Sequence, residues 1–172
     1  MTDEIVNRVA SSALVTFDLE DYYHHGQRVV FDIKDQLYEG LLLREKDFRA
    51  FVKAHDWQQY EGKNVALTCT ADAIVPVWAY MLVTTKLQPY AHMVVMGDLP
   101  TLELALYQEA LKKVDPEQYR DGKIVIKGCG KYPVPDAAYV EIARLLGPYV
   151  ASMMYGEPCS TVPIYKRPRA KA

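Results

Sequence analysis

Asn64-Val65-Ala66-Leu67-Thr68, Met93-Val94-Val95-Met96 and Lys123-Ile124-Val125-Ile126-Lys127 are the runs whose reading decides the fold. Each is short and apolar through its middle, and each precedes a longer stretch with helical spacing of apolar residues. The pattern predicts three strands, followed by helices over roughly Ala73 to Leu87, Thr101 to Val114 and Asp136 to Met154. Strand then helix, three times over, implies parallel strands joined by right-handed crossovers. Apolar strands suit such a sheet because helices cover both of its faces. The expected fold is an α/β sandwich with a mostly parallel sheet of three βα units.

Toward the N-terminus, Ser12 to Tyr22 and Arg28 to Tyr38 alternate loosely and carry β-branched and aromatic residues. They are expected as a hairpin or as two adjacent strands extending the sheet, with His24-His25-Gly26-Gln27 as the turn. Arg44 to Trp57 reads as a helix with Phe48, Phe51 and Val52 on one stripe. No internal repeat and no low-complexity linker is evident, so residues 1–172 are expected to form one domain. The basic cluster Lys166, Arg167, Arg169 and Lys171 makes 164–172 an expected flexible tail.

The balance of 20 basic against 22 acidic residues gives no reason to expect nucleic acid or an anionic membrane as partner. No apolar stretch reaches 18 residues, and Met1-Thr2-Asp3-Glu4 is acidic where a secretion signal is basic. The expectation is a cytoplasmic protein. In a reducing compartment its three cysteines are thiols or ligands rather than a disulfide framework.

Ligands of open parallel sheets bind beyond the carboxyl ends of the strands. Cys69 follows the first of the three strands, Asp98 the second and Cys129 the third. Cys159 follows the last expected helix, which would carry it to the opposite edge unless the chain turns at Gly147-Pro148. Three readings of these thiols stand side by side. Cysteine is often a small buried hydrophobe, which would make the chain a non-catalytic interaction module. Cys69, Cys129 and Cys159 could together bind zinc or iron, including an iron–sulfur species, with Asp98, Asp72 or His92 completing the set. Finally, one thiol could be reactive, as in a sulfur carrier or transferase. Asp72 as a helix cap after Cys69, or Lys127 and Lys131 around Cys129, would then favour the thiolate.

No catalytic residue is legible beyond these. Glu20, Asp21, His24 and His25 have metal-binding chemistry but read as a solvated turn. Cys159 and Arg167 are too far apart for a phosphatase loop. Gly128-Cys129-Gly130 lacks the third glycine and the following helix of a dinucleotide site, so no nucleotide is expected. Trp57 and Trp78 are assigned to packing.

Arg8-Val9-Ala10-Ser11-Ser12, Leu42-Leu43-Arg44-Glu45-Lys46-Asp47-Phe48, Ala71-Asp72-Ala73-Ile74-Val75-Pro76 and Gly156-Glu157-Pro158-Cys159-Ser160-Thr161-Val162-Pro163 together resemble a bacterial family of unknown function, the one numbered 2480. The resemblance covers nearly the whole chain and assigns no role to any residue. It implies a genomic association with iron–sulfur cluster assembly components. Partners expected on that basis are assembly proteins, with a homodimer as the other expectation.

Overall fold

The computed structural model describes residues 14–168. Along them run β1 (Leu14–Asp18), β2 (Arg28–Asp32), α1 (Glu45–Ala54), β3 (Asn64–Thr68), α2 (Val77–Leu87), β4 (Met93–Met96), α3 (Leu99–Leu111), β5 (Lys123–Lys127), α4 (Asp136–Leu146), β6 (Ser152–Glu157) and β7 (Ser160–Lys166). The class is α/β, as the spacing predicts. Among the described residues no helix is long and apolar enough to cross a membrane.

The strands form two sheets, ordered β2-β3-β4 and β1-β5-β6-β7. All pairs are parallel except β6 with β7. The expectation of one sheet running through β3, β4 and β5 is therefore corrected. β5 pairs with β1 and β6, while β1 and β2 enter different sheets. The chain divides accordingly into two compact units, one of His24–Leu106 and one of the segments before His24 and after Leu106.

The two units carry the same design, which the sequence reading missed. A shift of 59 positions takes β3 onto β5 and α2 onto α4 without a gap, since Asn64 matches Lys123 and Val77 matches Asp136. A shift of 14 takes β1 onto β2. The registers agree, because Asp32 pairs with Thr68 as Asp18 pairs with Lys127. Hydrogen bonds recur as well. Gly62 N–H donates to Tyr90 C=O and Asp121 N–H to Tyr149 C=O; His92 N–H donates to Lys63 C=O and Ala151 N–H to Gly122 C=O. Left-handed backbone at Gly62 and Gly97 recurs at Asp121 and Gly156.

The cores correspond too. Phe31, Ile33, Phe48, Val65, Ala79, Val83 and Leu87 are buried in one unit. Phe17, Leu19, Tyr107, Ile124, Ala138, Ile142 and Leu146 are buried at the matching places of the other. Burial of apolar side chains at these places is what the strand and helix periodicities encode, at roughly 1.5–3 kcal/mol for each large side chain. Asp18 and Asp32 end their strands alike, each accepting a backbone N–H two residues on and so capping a short 3₁₀ turn.

Two helix boundaries differ from expectation. α2 begins at Val77 with Pro76 as its cap, not at Ala73. A residue before proline avoids helical backbone, and Ile74 is held by a bridge to Leu42. α4 stops at Leu146, where Gly147-Pro148 ends it, and the expected helical residues Ser152 to Met154 are strand β6 instead. Ile164 to Lys166 complete β7, and the Arg167 side chain binds Asp121 and the carbonyl of Tyr149. That stretch of the expected tail is thus ordered structure. Arg169 to Ala172 lie outside the described residues, as do Arg8 to Ala13.

Candidate functional site

The carboxyl edge of β1-β5-β6 gathers charge. Lys127 Nζ lies 3.0 Å from Asp18 Oδ2 and 3.8 Å from Glu157 Oε1. The hydrogen bond to Asp18, with the charges of Asp18 and Glu157, holds the Lys127 ammonium above its usual pKa. Beyond β5 the loop from Gly128 to Pro135 is tied down by Glu20, whose carboxylate accepts the backbone N–H of Gly130 and, at 2.9 Å, that of Lys131. Glu20 is not the idle turn residue that the sequence implied. Both glycines around Cys129 answer to close approach. A Cβ on Gly128 would stand 2.9 Å from the Tyr139 hydroxyl, and one on Gly130 2.9 Å from Glu20 Oε1.

This loop walls a cleft of about 430 Å³ lined by Gly128 to Val134, Asp136, Tyr139 and Tyr155. Tyr132 is stacked on Tyr23 with ring centroids 4.5 Å apart. Tyr139 meets Tyr155 edge-on at 5.6 Å. Its phenol is pushed up to about 12, first by burial and then by Tyr155, Cys129, Glu20 and Asp18. Across the physiological range Tyr139 therefore stays a neutral hydroxyl. Cys129 is exposed at the cleft.

Cys159 is exposed at the two-residue turn Pro158-Cys159 between β6 and β7. The early stop of α4 explains its place. β6 runs parallel to β5 and returns the chain to the carboxyl edge, so Cys129 and Cys159 leave the same edge of one sheet. The carriage of Cys159 to the far edge, which a longer helix implied, does not occur.

The remaining candidates belong to the other unit. Cys69 is half-buried, with Sγ 3.8 Å from the Ala71 carbonyl. Thr70, next to it, donates its N–H and hydroxyl to Asp32 at 3.1 and 2.6 Å. Asp72 is exposed in the loop before α2 and is not the cap of that helix. Asp98 caps α3, accepting from the Thr101 N–H at 2.9 Å and the Thr101 hydroxyl at 2.6 Å. His92 stacks on His24 at 4.2 Å, and His24 Nδ1 meets both the Gly26 N–H and the Asn64 amide at 3.1 Å. His24 is thus a built-in part of the fold rather than a solvated turn residue. Among the described residues no group of three or more His, Cys, Asp or Glu side chains is arranged to hold a metal ion.

The family model described as "Protein of unknown function (DUF2480)" matches residues 3–167. The chain belongs to the DUF2480 family. Comparison with curated proteins and with solved structures found no match. In this DUF2480 chain Tyr139 and Tyr155 are cleft residues that sequence reasoning missed, and Glu20, read there as a turn residue, ties down the loop that walls the cleft. A signal for Tyr139 was present: Val134-Pro135-x-x-Ala138-Tyr139 repeats Val75-Pro76-x-x-Ala79-Tyr80.

Proposed function

We propose that this protein is a thiol-dependent sulfur carrier in which Cys129 is the accepting group. One observation carries the reading. At the matching position of the other unit stands Thr70, exposed as well but hydrogen-bonded to Asp32, whereas Cys129 brings a thiol to that position beside a cleft. The repeat acts as an internal control. The position carries a hydroxyl bonded to a carboxylate in one unit and a thiol lining a cleft in the other.

The step is a simple exchange. The Cys129 thiolate attacks the outer sulfur of a donor persulfide, that donor's S–S bond breaks, and a new S–S bond forms on Cys129. The donor leaves as a thiolate, so sulfur is transferred with no external oxidant or reductant. The neutral Tyr139 hydroxyl can donate a hydrogen bond to a sulfur anion in the cleft. Sulfur held in this way suits cluster assembly, the setting the family resemblance implies. Alkylation resolved by site near pH 7 tests the assignment. Cys129 should react about tenfold or more faster than half-buried Cys69; a Cys129 rate equal to or below that of Cys69 removes it.

Exposure of both Cys129 and Cys159 at one sheet edge favours a second reading, a soft metal ion held by the two thiolates with open positions for transfer. Anaerobically purified protein would then contain zinc or iron that is lost in Cys129→Ser and in Cys159→Ser. Metal content unaffected by either change rules that reading out.

A further inference from the structure

A second hollow adjoins the thiol cleft. It holds about 210 Å³ between α4 and the sheet, lined by Ile126, Tyr139, Val140, Ala143, Met153, Met154, Tyr155 and Ile164, and its surface is almost wholly apolar. Tyr139 and Tyr155 line both spaces, so the hollow and the cleft that Cys129 lines adjoin at this pair of rings. Val140 and Ile164 on its rim are 69% and 57% exposed, large apolar side chains left facing water.

The hollow depends on β7. Ile164 belongs to that strand, which among the described residues pairs with β6 alone, and among those residues the sheet β2-β3-β4 of the other unit has no fourth strand at the corresponding place. The unit that carries the exposed thiol is thus also the unit with an added apolar wall. At roughly 30 Å³ for a water-sized group, the space takes about seven such groups. That is the size of a short aliphatic chain.

We infer that the sulfur donor of Cys129 carries an aliphatic group next to its persulfide, which lies in the hollow between α4 and β7 while the sulfur reaches the cleft. The inference rests on the sulfur-carrier reading and names the class of donor it serves. Burying the chain holds the outer sulfur at the thiolate and makes the exchange effectively intramolecular. A polar donor gains nothing from the same wall.

The probes are hexyl persulfide and 2-hydroxyethyl persulfide, each rate being normalised to transfer onto free cysteine. Cys129 should take sulfur from the hexyl donor about tenfold faster, through burial of the longer chain. Val140→Asp, an exposed position, should bring the ratio toward one, and Ile164→Thr should do so independently. Equal rates for the two donors on the unaltered protein overturn the aliphatic donor while leaving the carrier reading intact. Failure of Cys129 to take sulfur from either donor overturns the carrier reading and this inference together. A ratio that persists in both folded variants also overturns the hollow as the binding place.

Discussion

Thr70 and Cys129 occupy the same position in the two repeated units and are both exposed, one bonded to a carboxylate and the other lining a cleft. On the proposed function, the pair sets a structural use of that position against a chemical one. Thr70→Ala removes a hydroxyl bond to Asp32 and should lower unfolding free energy by about 1 kcal/mol. Cys129→Ser should change it by less than about 0.5 kcal/mol. Urea denaturation of the two variants checks this, and a larger loss for Cys129→Ser would assign Cys129 to structure.

Asp32 gives the same contrast a pH signature. Burial raises its carboxyl pKa, but the bonds from the Thr70 hydroxyl and the Lys34 and Thr70 N–H groups outweigh burial and leave it lowered. A lowered carboxyl contributes stability above its unfolded value of about 3.9, and that stability is lost as the pH falls through the folded value. Asp32→Asn should therefore flatten the acid limb of a stability–pH curve. An unchanged acid limb contradicts the assignment.

His24 acts nearer neutrality. Burial first, then the charges of His92, Arg28 and His25, lower its pKa, with Glu103 opposing. Its Nδ1 already faces the donors Gly26 N–H and Asn64 Nδ2, so a proton there has no place. The folded state favours neutral imidazole, and the unfolded chain binds more protons as the pH drops through about 6.5. Stability should fall on acidification from about pH 7 to pH 5, and less steeply in His24→Gln. His55, also lowered by burial, adds in the same direction. Urea midpoints that rise on acidification would contradict this.

Gly97 and Gly156 are matching residues with φ of +144° and +113°. Alanine at either should destabilise by more than about 1 kcal/mol, because the backbone is strained for a side chain. Gly156→Ala should be the worse. Its Cβ would lie 2.7 Å from the Ser160 carbonyl oxygen, which is backbone, whereas the Gly97 Cβ meets the Thr101 side chain at 2.9 Å. Thermal midpoints of the two variants read the difference, and tolerance at both would argue against the repeated turn geometry.

The apolar runs at Asn64, Met93 and Lys123 were legible as strands because buried parallel strands carry their signal locally. Their division between two sheets was not. Pairing of β1 with β5 and of β2 with β3 joins segments far apart in sequence, and no local period reports it. The repeat hid for a related reason: both leading strands precede both βαβ portions, so the copies interleave. Matches such as Gln59-Tyr60 with Gln118-Tyr119, or Pro89-Tyr90 with Pro148-Tyr149, are too scattered to stand out along the chain. Cys129 was legible as a rim residue from its glycines and its place after a strand. The cleft around it was not, since Glu20 arrives from 110 positions away to bind Gly130. Cys159 was misplaced because Met153-Met154-Tyr155 reads equally well as helix or strand, and only Gly147-Pro148 marked the break.

The central claim is that Cys129 accepts sulfur. Peptide mass mapping after brief exposure to a persulfide donor tests it directly. One added sulfur should appear on the peptide containing Cys129 and should vanish in Cys129→Ser, with Cys69 left as a free thiol. Sulfur appearing on Cys69 first, or on no cysteine at all, would contradict the account.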